Sequence, residues 1–355
     1  MPVDDYLFML ELSRDTGESL GRVAIVPDWD PAVEWTRLAG LRAHGVWAAD
    51  SSAERGVEPL WHNRLGEPFV DRFRVHLAAP TCAWFEDFPA TKYFADAARD
   101  ASARLVESGT VQAGDHVRYR PTAFARSDRA APSSPFQFDA ADAPPRLALK
   151  DTPVTRLLDA STPCGDAQPA DVEVFVPQSV MEEASALTAG AGASETGGIL
   201  IGHLHRDGER GEIFVEVTAQ IPARHTASDA LKLTFTSDTW TDVRAALALR
   251  RRDELMLGWW HSHPAREWCK ACPPENQRVC RLATPFLSVD DRALHRAMFP
   301  RAFTLALLMT NALSGISAAL FGWRTGLLEP RGFRVLSACT THLRTNVSTL
   351  GASPA

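Results

Sequence analysis

The sequence predicts an α/β fold, a mixed sheet flanked by helices, preceded by a small α+β domain. Three observations lead to this prediction. Strand-like and helix-like patterns alternate from Val172 onward. A stretch rich in Pro, Ala, Ser and Asp separates that region from an earlier patterned one. With 355 residues, the chain is also long enough for two hydrophobic cores.

Residues 1–126 are predicted to form the α+β domain. Segments 6–12 and 72–77 have the composition of strands. Residues 90–109 place apolar side chains at helical spacing and end at a glycine, and 111–119 indicate a turn and a strand. This region contains no recognisable motif, so it predicts no function.

Residues 127–171 are predicted to be a linker. The segments RSDRAAPSSPF, DAADAPP and STPCGDAQPAD are rich in Pro, Ala and Asp and have few clustered apolar residues. At the other end of the chain, residues 336–355 are predicted to form a frayed tail.

Residues 172–335 are predicted to form the α/β domain. Its strands are read from short apolar runs and its helices from longer periodic segments. The predicted elements are strand 172–177, helix 178–187, strands GGILIGHLH and EIFVEVTAQIP, helix 237–252, strand 254–260, a helix from about Ser288, and a strand pair at 303–323.

The charge balance and the hydropathy pattern argue against two classes of partner, nucleic acids and membranes. Lys and Arg number 37 against 44 Asp and Glu, a net charge of −7, and no long basic run is present. Nucleic-acid binding through phosphates normally needs a basic patch, so no nucleic-acid partner is expected. The apolar segment 303–323 contains Asn311, Ser314 and Gly315 at its middle, which indicates a turn rather than a membrane span. The amino terminus does not resemble a secretory signal, so a cytoplasmic protein without a membrane partner is predicted.

The most informative motif is His261-Ser262-His263-Pro264, directly after the apolar run LMLGWW. Side chains two apart on a strand point to the same side, so both imidazoles can face one point. Neutral imidazole is a preferred zinc ligand. The alternative is a pair of polar histidines at the end of a strand.

A second motif, Ser288-Val289-Asp290-Asp291, precedes a helical segment. Ser-x-x-Asp is a variant of the capping box that begins helices. Because Ser288 and Asp291 also share one face of the first turn, Asp291 could complete a His–His–carboxylate set. A shifted register would make Asp290 the ligand instead, although the spacing from Ser288 favours Asp291.

A third motif, Glu195-Thr196-Gly197-Gly198, lies before the apolar run ILIG. A glutamate at the start of a buried strand is usually solvated, and paired glycines alone indicate only a turn. A catalytic zinc nevertheless needs a nearby base to accept a proton from water. Glu195 is the best candidate for that base.

Taken in order, the three motifs resemble the JAB/MPN family with its JAMM metalloprotease motif, in particular its prokaryotic deubiquitinase-like members. The resemblance covers about 172–335 and implies a cytidine-deaminase-like α/β fold. It implies that His261, His263 and Asp291 bind the catalytic zinc. It further implies that Glu195 is the general base and that Ser288 helps to stabilise the oxyanion.

An insert at 265–285 departs from the compact spacing of the family. It contains Cys269-x-x-Cys272 and then Cys280, which is typical of a zinc knuckle and predicts a second, structural Zn²⁺. A closed site needs a fourth ligand, and the alternatives are His295, Cys339, Cys164 or another histidine. A partly oxidised thiol pair and simple buried cysteines are the competing interpretations.

The resemblance implies a zinc-dependent isopeptidase or peptidase that cleaves after the C-terminal glycine of a ubiquitin-like protein. The reaction would be deconjugation or precursor processing, and E1- or E2-like proteins of the same system would be further partners. The cysteine insert and the amino-terminal domain would contribute to substrate selection. Two alternatives stay open: a zinc hydrolase acting on a sulfur-carrier protein or small peptide, and a non-catalytic MPN scaffold. Scaffold members typically lack the metal ligands that this chain retains.

Overall fold

A computed structural model describes residues 6–45, 47, 56–62, 69–79, 82–125, 147–223, 226–229, 232–273, 276 and 280–337. The described N-terminal residues form two antiparallel three-stranded sheets, β2-β1-β6 and β3-β4-β5, with helices packed against them. The elements are β1 (Tyr6–Arg14), β2 (Ser19–Ile25), α1 (Asp30–His44), β3 (Gly56–His62), β4 (Phe69–Ala79), β5 (Cys82–Pro89), α2 (Ala90–Tyr93), α3 (Ala95–Glu107) and β6 (Val117–Ala125).

The predicted N-terminal strands and helix are confirmed as secondary structure. Segments 6–12 and 72–77 lie within β1 and β4, and the helix expected over 90–109 is divided at Phe94 into α2 and α3. Helix α1 was not anticipated. Pro31 lies in its first turn, and Gly45 ends it with a positive φ of 67°, a conformation that glycine adopts without strain.

The second half is built on one mixed sheet with helices, which confirms the predicted α/β class. Its first elements are β7 (Leu149–Asp151), α4 (Thr155–Asp159), β8 (Ser161–Cys164), β9 (Glu173–Pro177), α5 (Gln178–Ala191), β10 (Gly197–Asp207), β11 (Glu212–Pro222), β12 (Thr226–Asp229), β13 (Lys232–Phe235) and α6 (Ser237–Arg250). The remaining elements are β14 (Leu255–His263), α7 (Ala265–Trp268), two 3₁₀ turns (Cys269–Ala271 and Arg281–Ala283), α8 (Val289–Met298), β15 (Leu305–Ala312), β16 (Gly315–Arg324), β17 (Leu327–Arg331) and β18 (Phe333–Leu336).

The strand order of the main sheet is β17-β16-β15-β14-β10-β11-β9-β18-β8, and β7 also pairs with β10. Neighbours β10 and β14 are antiparallel, whereas β14 and β15 are parallel. Strands β10 and β14 are therefore central, and nearly all of their residues are buried. Strands with partners on both sides and buried faces are rigid supports for a functional site.

The predicted linker differs from the structure where it is described. Strands β7 and β8 lie inside the range 127–171, and both are hydrogen-bonded members of the main sheet. This segment has few apolar residues, but one of them, Val154, is buried with Phe175 and Phe214 in a small satellite core. Backbone hydrogen bonds thus attach this segment to the main sheet, although its composition is typical of a linker. Residues 126–146 lie outside the described residues, as do 338–355 of the predicted tail.

The two halves of the chain share one continuous hydrophobic core. Ion pairs also join them: Arg301 Nη1 lies 3.0 Å from Glu34 Oε1, and Arg296 Nη2 lies 3.5 Å from Asp96 Oδ2. The N-terminal part is therefore packed directly against the half that contains the predicted site.

The apolar segment 303–323 forms β15 and β16, joined by a tight turn at Leu313 and Ser314, as the sequence predicts. Across the described ranges, no helix is both long enough and apolar enough to cross a membrane.

Candidate metal centre

The two histidines of the HSHP motif lie at the end of β14 and project to the same side. Trp259 precedes them on that side, and its ring stacks on His261 with centroids 4.5 Å apart and planes at 11°. The rings of His261 and His263 follow at 4.9 Å. Their exposed fractions are only 0% and 2%. The alternation of a strand thus places a buried aromatic ring beneath two buried imidazoles.

Asp291 completes the cluster from α8. His261 Nε2 and His263 Nε2 are 3.1 Å apart, and they lie 3.5 Å and 3.8 Å from the two carboxylate oxygens of Asp291. One ligand atom from each of the three residues lies within 4.8 Å of the others. Asp290, the alternative ligand, is exposed and is not a member of this group. The structure therefore brings together the three residues that the spacing favoured.

Ser288 forms a capping box with Asp291 at the start of α8. The backbone N–H and the hydroxyl of Ser288 both donate to Asp291 Oδ2 at 2.8 Å, and the backbone N–H of Asp291 donates to Ser288 Oγ at 3.1 Å. Asp291 therefore takes part in the cap of α8 and also lies near both histidines. The geometry makes Ser288 a positioning residue for the Asp291 carboxylate.

Burial raises the pKa of Asp291, but the interactions with His261, His263 and the Ser288 hydroxyl outweigh the effect of burial. The pKa of this carboxyl is consequently held far below its usual range. An ionised carboxylate beside two buried imidazoles is the protonation state that metal binding requires.

Glu195 lies beside this cluster, immediately before β10. Its Oε1 is 4.0 Å from His263 Nε2, and the residue is only 7% exposed. Its position depends on the neighbouring Thr196, which is joined to Ser262 by two hydrogen bonds: Thr196 N donates to Ser262 Oγ at 3.0 Å, and Ser262 N donates to Thr196 O at 2.8 Å. The intervening Ser262 of the HSHP motif therefore anchors the segment that carries Glu195.

The paired glycines after Glu195 begin strand β10 rather than forming a turn. A Cβ atom on Gly198 would lie 2.5 Å from the carbonyl oxygen of Ile221 and 2.6 Å from Trp260 Nε1. That Trp260 nitrogen donates to Gln220 Oε1 at 3.0 Å. Glycine is thus required here because the neighbouring strands approach too closely for a side chain.

The donor set fits a zinc ion. Two imidazole nitrogens and one carboxylate converge in a buried space, and three protein ligands are typical of a catalytic zinc with an open fourth position. When both imidazoles are neutral with their lone pairs at Nε2, three electron-rich atoms face one another. These atoms repel one another, and a cation between them would attract all three.

The three cysteines of the insert form a second group. Cys269, Cys272 and Cys280 place their sulfur atoms within 4.8 Å of one another, with 3.7 Å between those of Cys272 and Cys280. All three are thiols that are not joined in disulfides. Burial, followed by the hydrogen bond with Cys280, raises the pKa of the Cys269 thiol to about 11.

Two of the predicted fourth ligands lie elsewhere in the fold. His295 is fully buried and accepts a hydrogen bond from Trp259 Nε1 at 3.1 Å, and burial lowers its pKa to about 3. Cys164 lies on β8 opposite Phe333. Neither belongs to the cysteine group. Cys339 lies outside the described residues.

Two aromatic residues lie at the edge of the site and were not predicted from the sequence. The rings of Trp268 and Phe286 lie 4.9 Å and 4.8 Å from that of His263. Both belong to the cysteine-rich insert or its immediate continuation. Their only sequence signal is an aromatic residue near each end of the cysteine cluster, and it indicates no particular contact.

Residues 177–267 match a family model described as prokaryotic homologs of the JAB domain. The matched range contains Glu195, His261 and His263 but ends before the cysteines, Ser288 and Asp291. This part of the chain is therefore JAB-like, and the JAB family includes metalloproteases.

No curated protein matches the chain. Among solved structures, the chain is similar to the solution structure of protein DSY2949 from Desulfitobacterium hafniense, with 20% sequence identity and a TM-score of 0.32. That match covers 48% of this chain and 97% of DSY2949.

Proposed function

We propose that this chain is a zinc-dependent JAMM-type hydrolase with a cytidine-deaminase-like core that cleaves the bond after the C-terminal glycine of a ubiquitin-like protein. The observation that carries the proposal is the convergence of His261, His263 and Asp291 within 4.8 Å, with Glu195 beside them. The similarity of residues 177–267 to the JAB domain supports the same assignment.

Zinc held by these three residues would lower the pKa of a water molecule and polarise the scissile carbonyl. The chain's own contribution is positioning and proton transfer. The carboxylate of Glu195, whose Oε1 lies 4.0 Å from His263 Nε2, would accept a proton from the attacking water and return it to the leaving amine. Its low exposure keeps competing solvent away from that transfer.

Ser288 acts first on Asp291, because its hydroxyl hydrogen is directed at Asp291 Oδ2. The role at the oxyanion that the JAMM resemblance implies would require this hydroxyl to rotate towards the substrate. Through its hydrogen bonds to Oδ2, Ser288 holds the Asp291 carboxylate in place and thereby fixes its distance to both histidines.

The substrate assignment is supported by the resemblance and by two aromatic rings beside His263. The half-buried rings of Trp268 and Phe286 lie against His263 and form two flat aromatic walls. Such walls suit an extended glycine tail, because glycine has no side chain to clash with them. Deconjugation and precursor processing both present that tail, and E1- or E2-like proteins are the proposed companions. A cytoplasmic location, where thiols stay reduced, suits cysteines that are not joined in disulfides.

The test is hydrolysis of purified ubiquitin-like proteins from the same organism, each fused through its terminal glycine to a reporter. Ubiquitin–reporter and a glycine-ended hexapeptide are run in parallel, and mass spectrometry identifies the new terminus. Cleavage directly after glycine, lost in Glu195→Gln with zinc retained, supports the proposal. Cleavage of the hexapeptide alone would instead indicate a peptide hydrolase. Zinc binding without any cleavage would favour the scaffold.

A further inference from the structure

The cysteine cluster of the insert has the geometry of a metal site. A zinc–thiolate bond is about 2.3 Å long, so two thiolates on one tetrahedral zinc lie about 3.8 Å apart. The sulfur atoms of Cys272 and Cys280 are 3.7 Å apart. A disulfide would require about 2.05 Å between them. The sulfur separation therefore matches an edge of a zinc tetrahedron.

The backbone around the cysteines has the form of two knuckles. The N–H of Cys272 donates to the carbonyl of Cys269 at 3.0 Å, and the N–H of Ala283 donates to the carbonyl of Cys280 at 2.9 Å. One 3₁₀ turn therefore begins at Cys269, and another begins directly after Cys280.

The two knuckles lie next to the aromatic walls of the candidate metal centre. Trp268 immediately precedes Cys269, and Phe286 follows the turn that begins at Cys280. Their ring centroids lie 4.9 Å and 4.8 Å from that of His263. A link between the knuckles would therefore fix both walls together.

We propose that Cys269, Cys272 and Cys280 bind a second Zn²⁺ ion, and that this ion positions Trp268 and Phe286 against His263. The fourth ligand is neither Cys164 nor His295, since both lie elsewhere in the fold. The metal site stands independently of the reaction, whereas its effect on catalysis rests on the proposed function.

Metal binding is tested in the full chain carrying His261→Ala and His263→Ala, which removes the other candidate centre. Plasma mass spectrometry should find roughly one zinc per chain, and adding Cys272→Ser should reduce it to near zero. Cobalt-loaded protein should show a thiolate-to-metal charge-transfer band that Cys272→Ser abolishes. Cys164→Ser is the matched control and should retain both signals. A folded double-histidine variant with neither zinc nor the cobalt band would overturn the second site.

The positioning role is tested in the chain with both histidines intact. We expect Cys272→Ser to keep the zinc at His261 and His263 but to lower kcat/KM about tenfold, mainly through KM, because the walls are no longer held. Cys272→His, which can still bind zinc, should recover most of the lost kcat/KM. Unchanged kinetics in a Cys272→Ser variant that has lost one zinc would refute positioning while leaving the metal site intact. If no variant or parent cleaves any substrate, the proposed function fails, and the metal measurements decide the cysteine site alone.

Discussion

Two His-x-His pairs lie on neighbouring central strands, His203 and His205 on β10 and His261 and His263 on β14. All four histidines are buried. In the β14 pair, the Nε2 atoms approach to 3.1 Å and face Asp291. In the β10 pair, the rings are 5.9 Å apart and nearly perpendicular, at 88°.

The difference arises from the neighbouring elements. His203 Nε2 lies 2.9 Å from Lys150 Nζ, and His205 is held between Thr152 Oγ1 at 2.9 Å and Glu216 Oε2 at 2.8 Å. Burial, and then the charge of Lys150, lowers the pKa of His203. The Lys150 ammonium beside His203 repels a second cation, and the Glu216 carboxylate is hydrogen-bonded to His205 alone. In the β14 pair, the Nε2 atoms of both histidines face the same carboxylate, that of Asp291. The same spacing therefore produces a satisfied structural pair in one strand and a candidate metal centre in the next.

The largest expected effect separates the two pairs directly. His263→Ala should remove the zinc of the His–His–Asp centre and abolish hydrolysis, because two remaining ligands hold zinc weakly. His203→Ala should retain both zinc and activity, at some loss of stability. Metal analysis and the reporter assay measure both variants. Equal zinc loss from the two variants would show that the pairs do not differ in this way.

The next effect divides metal binding from proton transfer within the β14 site. Glu195→Gln keeps the shape of the side chain but removes the base, so we expect activity to fall about 10²- to 10⁴-fold. Zinc content should be unchanged, since Glu195 is not one of the three converging ligands. A Glu195→Gln variant with near-parental activity would exclude Glu195 as the base.

A smaller effect should follow from Ser288→Ala, which removes the side-chain half of the capping box. The loss of the cap should lower the free energy of unfolding by about 1 kcal/mol. The freed Asp291 carboxylate should weaken zinc binding about tenfold, measured by competition with a chelator. Asp290→Asn, on the same helical turn but exposed, is the matched control. Zinc binding that weakens in the control and not in Ser288→Ala would favour Asp290 as the ligand.

The smallest effect concerns the β10 pair and depends on pH. The hydrogen bond with His205 lowers the pKa of Glu216 in the folded chain. The stability from this interaction is therefore present above the unfolded pKa, about 4.3, and is lost as the pH falls through the lower folded value. In urea unfolding, the free energy of unfolding of the parent should exceed that of Glu216→Gln most at neutral pH. The difference between the two free energies should shrink below about pH 4. A difference in the free energy of unfolding that widens on acidification would contradict a stabilising Glu216–His205 hydrogen bond.

Sequence reasoning reached the β14 site because its chemistry is encoded at short range. His261 and His263 follow an uninterrupted buried strand, and Ser288 and Asp291 lie on one helical turn. Such local patterns constrain the direction of side chains before the fold is known. Most strands and helices between residues 172 and 323 were predictable for the same reason, whereas β12, β13, β17 and β18 were not predicted.

Other features depend on long-range contacts that carry no periodic signal. Helix α1 was missed because charged residues lie on its buried faces: Glu34 and Arg37 are paired with each other, and Glu34 also binds Arg301 from the other half of the chain. Strand β7 is only three residues long and depends on β10 for its hydrogen bonds.

The aromatic walls at His263 were missed for a related reason. Trp268 and Phe286 reach this site from an irregular insert. Residues brought together by loops have no fixed sequence spacing, so their contacts emerge only from the folded chain.

Anomalous X-ray scattering at the zinc edge, from crystals of the full chain grown without chelator, would locate the bound metal. We expect a peak between His261 Nε2, His263 Nε2 and the Asp291 carboxylate, and none beside His203 and His205. A peak at the β10 pair, or zinc-replete crystals without a peak at the β14 pair, would contradict the assignment of the metal centre to β14.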